Sequence, residues 1–228
     1  MNVTWLTEGG LLFESGNLKV LVDPYLSDSR AGENPPKVRK IPVDESVFDI
    51  TPDVILITHE HPGHLDEATL SRFLSAEKRI TVLAPSNAYK RLVKFGGGHN
   101  YVLLSPHSVW SESNLTFYSV RAEHGDRSAA GFIIDDGKRT FYVSGDTLYN
   151  YDVIDDVLDL VEDGVDFAFL PICGSGNTMN AKDAADFAYE IGAKVATPIH
   201  YGLFDDIDPA TFDFEDVLIL EPYKKTKL

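Results

Sequence analysis

The chain has 228 residues, enough for one large domain or two small halves sharing a core, and its 43% hydrophobic and 25% charged residues argue against a disordered tail, a collagen or a disulfide-dense scaffold. Lysine and arginine total 20 against 36 aspartates and glutamates, a formal net charge of −16 that disfavours a basic nucleic-acid-binding face and electrostatic docking on an anionic membrane. Cys173 is the single cysteine, the N-terminus lacks the pattern of a signal peptide and no apolar run reaches membrane-spanning length, so a soluble, cytoplasmic protein without disulfides is expected.

Alternating residues predict strands at 2–6, 11–14 and 18–22, the last two joined by a Ser15-Gly16-Asn17 turn, and these read as an antiparallel meander. Residues 24–51 are rich in Pro, Ser and charge and read as a long connection of the kind that borders sites. The rhythm then becomes α/β, with strand 53–58, helix 66–76, strand 80–84, helix 86–95 and strand 101–105. Strands follow at 115–123, 130–135 and 139–143, the last two turning at Asp135-Asp136-Gly137, then helix 152–162, strand 166–170, helix 181–191 started by Asn180, and strand 194–199. Meander plus α/β occurs twice, so the expectation is a single domain spanning 1–228 whose two similar halves, roughly 1–110 and 111–228, pack face to face.

Three of seven histidines fall in His59-Glu60-His61-Pro62-Gly63-His64, directly after an apolar strand. On extended backbone residues i and i+2 project to the same side, so His59 and His61 are placed to grip one ion while His64 turns toward a neighbouring position. His124, Asp146 and His200 each follow a predicted strand, and α/β architectures gather their sites at the carboxyl ends of strands. A lone His or Asp at such a place is commonly a capping residue, so the weight rests on their convergence.

The order Thr58–His64, His124, Asp146, His200 resembles the metallo-β-lactamase-fold hydrolases, whose signature is T-H-x-H-x-D-H followed by single His, Asp and His ligands. Within that superfamily Val3-Thr4-Trp5-Leu6, Asp23-Pro24-Tyr25-Leu26-Ser27-Asp28, His64-Leu65-Asp66, Ser144-Gly145-Asp146-Thr147, Pro171-Ile172 with Met179, and Pro198-Ile199-His200-Tyr201 look most like the branch of ascorbate-phosphate lactonase and the N-acyl-phosphatidylethanolamine phospholipase D relatives. The resemblance implies an α/β fold, a four-layer αββα sandwich with metals at one edge. It assigns His59, His61 and His124 to a first metal, His64 and His200 to a second, and Asp146 to a bridging, catalytic position. One or two divalent ions are implied, and five imidazoles with one carboxylate suit zinc or manganese, with iron also open. The implied activity is hydrolysis of a small-molecule lactone, ester or phosphodiester by a metal-activated water, without a protein nucleophile and with the anionic character of the substrate left open. Lactonases of that branch are oligomers, which raises the prior for a homo-oligomer.

One position departs from the signature: its Asp is Gly63 here, which removes a carboxylate from the second metal and from the attacking water. Asp66 is either a replacement that reaches back toward the metals or the N-cap of the helix that follows. Gly63 is compatible with a one-metal or loosely two-metal hydrolase, with a ligand-binding relative that has lost activity, and with a substitution introduced on purpose or by error. The intact remainder of the ligand set favours the hydrolase.

Other residues carry paired readings. Asp23 is a turn former or an outer partner of a metal-binding His. Residues 174–178 form a plain Gly-rich loop or an anion-binding one. Lys37, Arg39 and Lys40 are a solvated face or a meeting point for an anionic substrate, and Tyr201 packs or donates to substrate. His99 reads as solvated, His107 as a loop residue and Cys173 as a small buried residue with no histidine near it in sequence.

Overall fold

Strand alternation decides the layers. In the computed structural model, which describes residues 1–228, β1 (Asn2–Trp5), β2 (Leu11–Ser15) and β3 (Leu18–Val22) form the antiparallel meander, and β4 (Val54–Leu56), β5 (Thr81–Ala84) and β6 (Asn100–Leu103) extend it in parallel. The two-residue period sends Phe13, Val20, Val22, Val54 and Leu56 to one core and Leu12, Leu21, Ile55 and Val82 to another. Onto the second face pack α1 (Glu67–Phe73) and α2 (Ser86–Leu92), through Leu70, Phe73, Ala88 and Leu92.

The second sheet holds β7 (Val109–Glu112), β8 (Leu115–Arg121), β9 (Ala130–Asp135), β10 (Thr140–Val143), β11 (Phe167–Pro171) and β12 (Val195–Ile199), ordered β12-β11-β10-β9-β8-β7. Phe141 and Phe169 face the first sheet, where Phe13 meets Phe169 edge-on at 5.3 Å. Tyr142 points the other way and stacks on Phe187 at 6.2 Å, under the outer helices α3 (Tyr151–Leu160) and α4 (Ala181–Glu190). Helix, sheet, sheet and helix form the expected four layers. No helix is long and apolar enough to cross a membrane.

Two strands escape the sequence pattern. β7 is an edge strand of alternating exposed and half-buried residues, and β13 (Lys225–Lys227), Lys-Thr-Lys, pairs antiparallel with β1 although it has no apolar side chain to mark it. Charged residues on an outermost strand oppose further pairing, which explains the composition. Because β13 returns to the first sheet, sheet membership does not follow a cut near residue 110. Helix α1 is shorter than the predicted 66–76, and the Asp66 carboxylate caps it, accepting from Thr69 N at 3.3 Å and from the Thr69 hydroxyl. The long connection carries one 3₁₀ turn, Glu45–Asp49, capped by Asp44.

Candidate metal centre

β8, β10 and β12 run in the same direction, and the loops after them meet the loop after β4 at one edge of the sandwich. The Ala130 amide donates to Thr58 O at 3.0 Å and ties the two sheets together there. This edge gathers His59, His61, His64, His124, Asp146 and His200, all six residues singled out in the sequence, as two groups of side chains whose candidate donor atoms lie within 4.8 Å of one another. His59, His61 and His124 make one group, with His124 Nε2 2.9 Å from His61 Nδ1. His64, Asp146 and His200 make the other. Asp146 Oδ2 lies 3.3 Å from His64 Nε2 and 3.7 Å from His59 Nε2, and its Oδ1 lies 3.5 Å from His200 Nε2, so this carboxylate stands between the groups.

The opposite ring nitrogens of His59, His64 and His124 are anchored by hydrogen bonds, and that of His200 faces a carboxylate. Asp23 Oδ2 accepts from His64 Nδ1 at 2.7 Å and from the Thr58 hydroxyl, whose oxygen lies 3.0 Å from His59 Nδ1, while Asp23 Oδ1 accepts from the Thr58 amide at 2.8 Å. Of the two readings of Asp23, the outer partner is the one seen. His124 Nδ1 donates to Asn177 O at 3.0 Å, and His200 Nδ1 faces Glu8 Oε2 at 3.5 Å. Such partners fix the ring orientation and select which nitrogen faces inward. Glycine clears the space: a Cβ at Gly9 would sit 2.8 Å from His64 Cε1, and one at Gly145 2.7 Å from Thr58 Cβ.

His59 Nε2, His64 Nε2 and Asp146 Oδ1 are buried and find no hydrogen-bond partner in the protein. Buried polar atoms left unpaired cost free energy, and nitrogen and carboxylate donors converging in this way match the chemistry of a divalent cation. The donor set fits a metal ion.

The electrostatics of the bare side chains follow their surroundings. Burial, reinforced by the neighbouring imidazoles, holds His59 well below the ordinary histidine range, and burial with His124 lowers His61. Burial also opposes charge on His64, but Asp146 and Asp23 outweigh it and push its pKa up to about 9. At His200 burial is likewise outweighed, here by Glu8 and Asp146, which raise its pKa well above the usual value. Burial would raise Asp146, yet His64 and His200 hold it well below the ordinary carboxylate range.

The structure decides between several of the paired readings and corrects others. Asp66, weighed as a replacement ligand, is committed to α1 and does not join the cluster. A cavity lies over His61, His64, Asp146 and His200, and Cys173, half-buried rather than fully buried, lines it beside His200, a histidine distant in sequence; burial opposes ionisation, but His200 and Thr178 lower the thiol to about 7. His99 is engaged, accepting from Ile80 N at 3.3 Å and donating to Leu74 O at 2.8 Å. Tyr201 packs on Trp5 with ring centroids 4.9 Å apart. The basic cluster divides: Arg39 bonds Tyr25 O, Ile41 O, Thr7 Oγ1 and Tyr223 Oη, Lys40 pairs with Asp206, and Lys37 alone reaches the cavity.

Sequence reasoning missed Glu8 and Arg30. Glu8 sits in the turn between β1 and β2 with a left-handed backbone, φ 45°, and its carbonyl accepts from Trp5 Nε1 and from His200 N, both at 2.9 Å. His200 is itself left-handed, φ 59°, a strained conformation of the kind that clusters at functional sites. The departure at Gly63 and this turn are adjacent in space, since a Cβ at Gly63 would stand 3.0 Å from Arg30 Nη1 and 4.0 Å from Glu8 Oε1.

A two-sheet αββα sandwich with a His/Asp cluster at one edge is the metallo-β-lactamase fold. Residues 19–201 match the β-lactamase superfamily domain. A metal-dependent hydrolase of Methanopyrus kandleri is 30% identical over 97% of each chain, and one of Methanosarcina mazei is 32% identical over 93% of this chain and 89% of its own. Among solved structures, Igni18, described as a metallo hydrolase from Ignicoccus hospitalis, superposes with a TM-score of 0.78 at 19% identity, covering 99% of this chain and 97% of its own. The chain belongs to the β-lactamase superfamily and, within it, to the UPF0173 metal-dependent hydrolase family.

Proposed function

We propose that the protein hydrolyses a small-molecule ester, lactone or phosphodiester, with His59, His61 and His124 holding one divalent ion, His64 and His200 a second, and Asp146 between them. The observation that carries this reading is the convergence of buried, unpartnered His59 Nε2, His64 Nε2 and Asp146 Oδ1 on one edge of the sandwich. Divalent ions held by these side chains would supply a water of lowered pKa and polarise the oxygen on which charge develops. The chain does the rest by orientation. Asp23 aims His64 directly and His59 through Thr58, Asn177 aims His124, and Glu8 aims His200, so the inward nitrogens need no reorganisation when a substrate arrives. Phe204 and the long connection wall a cavity of about 220 Å³, below the ~300–1,000 Å³ of pockets for drug-sized ligands, so it suits a metabolite-sized substrate.

Zinc and manganese are the ions to test first, given the imidazole-rich donors with one carboxylate. The lactone and phosphodiester classes come from the resemblance of Asp23–Asp28 and Ser144–Thr147 to the ascorbate-phosphate lactonase branch. A panel of lactones, phosphodiesters and esters with zinc or manganese added is expected to show turnover that His61→Ala abolishes. Silence across the panel, or turnover untouched by His61→Ala, would point instead to a ligand-binding relative or to an unrelated contaminant.

A further inference from the structure

The place where the family signature has an aspartate is occupied from outside. Gly63 is buried, and the guanidinium of Arg30, from the long connection, approaches so closely that its Nη1 would be 3.0 Å from a Cβ there. Glu33 holds the other edge of that guanidinium, with Nε to Oε1 at 2.9 Å and Nη2 to Oε2 at 3.2 Å, which leaves Nη1 beside Gly63 at the cavity with Glu8 Oε1 3.9 Å away. Lys37, seven residues on, lines the same cavity without a carboxylate partner. Both cations stand over one ring: Arg30 Cζ is 5.5 Å and Lys37 Nζ 5.7 Å from the centroid of Phe204. At those distances the ring attracts both cations and draws them to the same side of the cavity.

The acidic groups of the cavity are largely committed elsewhere. Asp205 Oδ1 accepts from the Gly202 and Ile207 amides at 2.8 and 3.1 Å, Asp146 stands among the histidines, and Glu8 faces His200, with Arg30 3.9 Å away. A chain of net charge −16 repels anions at long range, but that field is screened beyond about 8 Å at physiological ionic strength, so local cations decide what enters.

We infer that Arg30 and Lys37 form an oxyanion subsite beside the metal centre, and that the substrate carries a carboxylate or phosphate next to the bond it loses. This rests on the hydrolase reading above and adds the substrate class. Gly63 is then a cleared seat for a substrate-binding arginine, since an aspartate there would take up Nη1, the donor that Glu33 leaves unused. The guanidinium offers Nη1 and the ammonium its free protons to an oxyanion held over Phe204, with His64, His200 and Asp146 lining the same space.

Calorimetric titration of zinc-loaded protein with inorganic phosphate, and separately with succinate, tests the subsite; zinc per chain is measured on every sample and the titrations are repeated after chelation. Binding of at least one anion to the parent is expected, weakened about ten- to a hundredfold in Arg30→Met, as for loss of a charge-assisted hydrogen bond, and also weakened in Lys37→Met, with zinc content unchanged in both. The stronger-binding anion identifies the substrate's charged group. Unchanged affinity in both variants, or no binding of either anion to zinc-loaded parent, overturns the subsite. Absence of zinc from the parent overturns the metal reading instead, while anion binding that is lost in Arg30→Met still supports the cation pair.

Discussion

His64 Nδ1 donates to Asp23 Oδ2 across 2.7 Å, and the same oxygen receives the Thr58 hydroxyl that stands 3.0 Å from His59 Nδ1. One buried carboxylate therefore orients one imidazole in each of the two groups. Asp23 keeps a left-handed backbone, φ 40°, to do so, directly after β3.

Asp23→Asn preserves shape but exchanges an acceptor oxygen for a donor amide and removes the charge. Zinc affinity is expected to fall about 10–100-fold with the far-ultraviolet circular dichroism unchanged. Competition with a chromophoric chelator measures it, and parental affinity would show that the orientation of His64 and His59 does not depend on Asp23.

The metal-free protein should have a stability profile set by opposed histidines. The folded-state pKa of His64, about 9, lies above its ordinary 6.5, so its contribution is complete below about 6.5 and is lost as pH rises from there through about 9. Burial lowers His59, which acts in the opposite direction and costs stability as pH falls below about 6.5. Thermal midpoints of chelated protein should therefore decline on the alkaline side, and bound zinc should flatten that decline, because His64 then has no proton to lose. Parallel alkaline slopes with and without zinc would speak against His64 as a ligand.

Gly63→Asp restores the signature residue but places a carboxylate against Arg30. The expected result is no gain in zinc affinity, since the new side chain pairs with the guanidinium. Gly63→Asp combined with Arg30→Met frees it and should tighten zinc about tenfold or more, the scale of effects seen around metal ligands. Equal gains in the single and double variants would mean that Arg30 does not control this position.

The sheets and the histidine cluster were legible because both obey local rules: alternation assigns Phe13 and Leu12 to opposite cores, and His59, His61 and His64 sit within six residues after an apolar strand. The late ligand candidates His124, Asp146 and His200 were legible as residues following strands, while their meeting depended on the pairing of β8 through β12. Glu8 was not legible, because Thr7-Glu8-Gly9-Gly10 reads as a turn and its side-chain direction comes from a left-handed backbone. The anchor on His124 is a backbone carbonyl, that of Asn177, and residue type carries no trace of it. Arg39 stands out in sequence beside Lys37 and Lys40 while Arg30 stands apart, yet the tertiary fold sends Arg30 to Gly63 and Arg39 to Tyr25 and Tyr223. The Lys-Thr-Lys of β13 has no apolar period, so its pairing with β1 had no local mark.

The most direct test of the metal centre is the metal-to-chain ratio of protein purified without added metal, measured by plasma mass spectrometry and repeated for His61→Ala. About two ions per chain, reduced in the variant, is the expected result if the two donor groups on either side of Asp146 each hold one. No bound ion, even after zinc, manganese or iron is supplied, would contradict it.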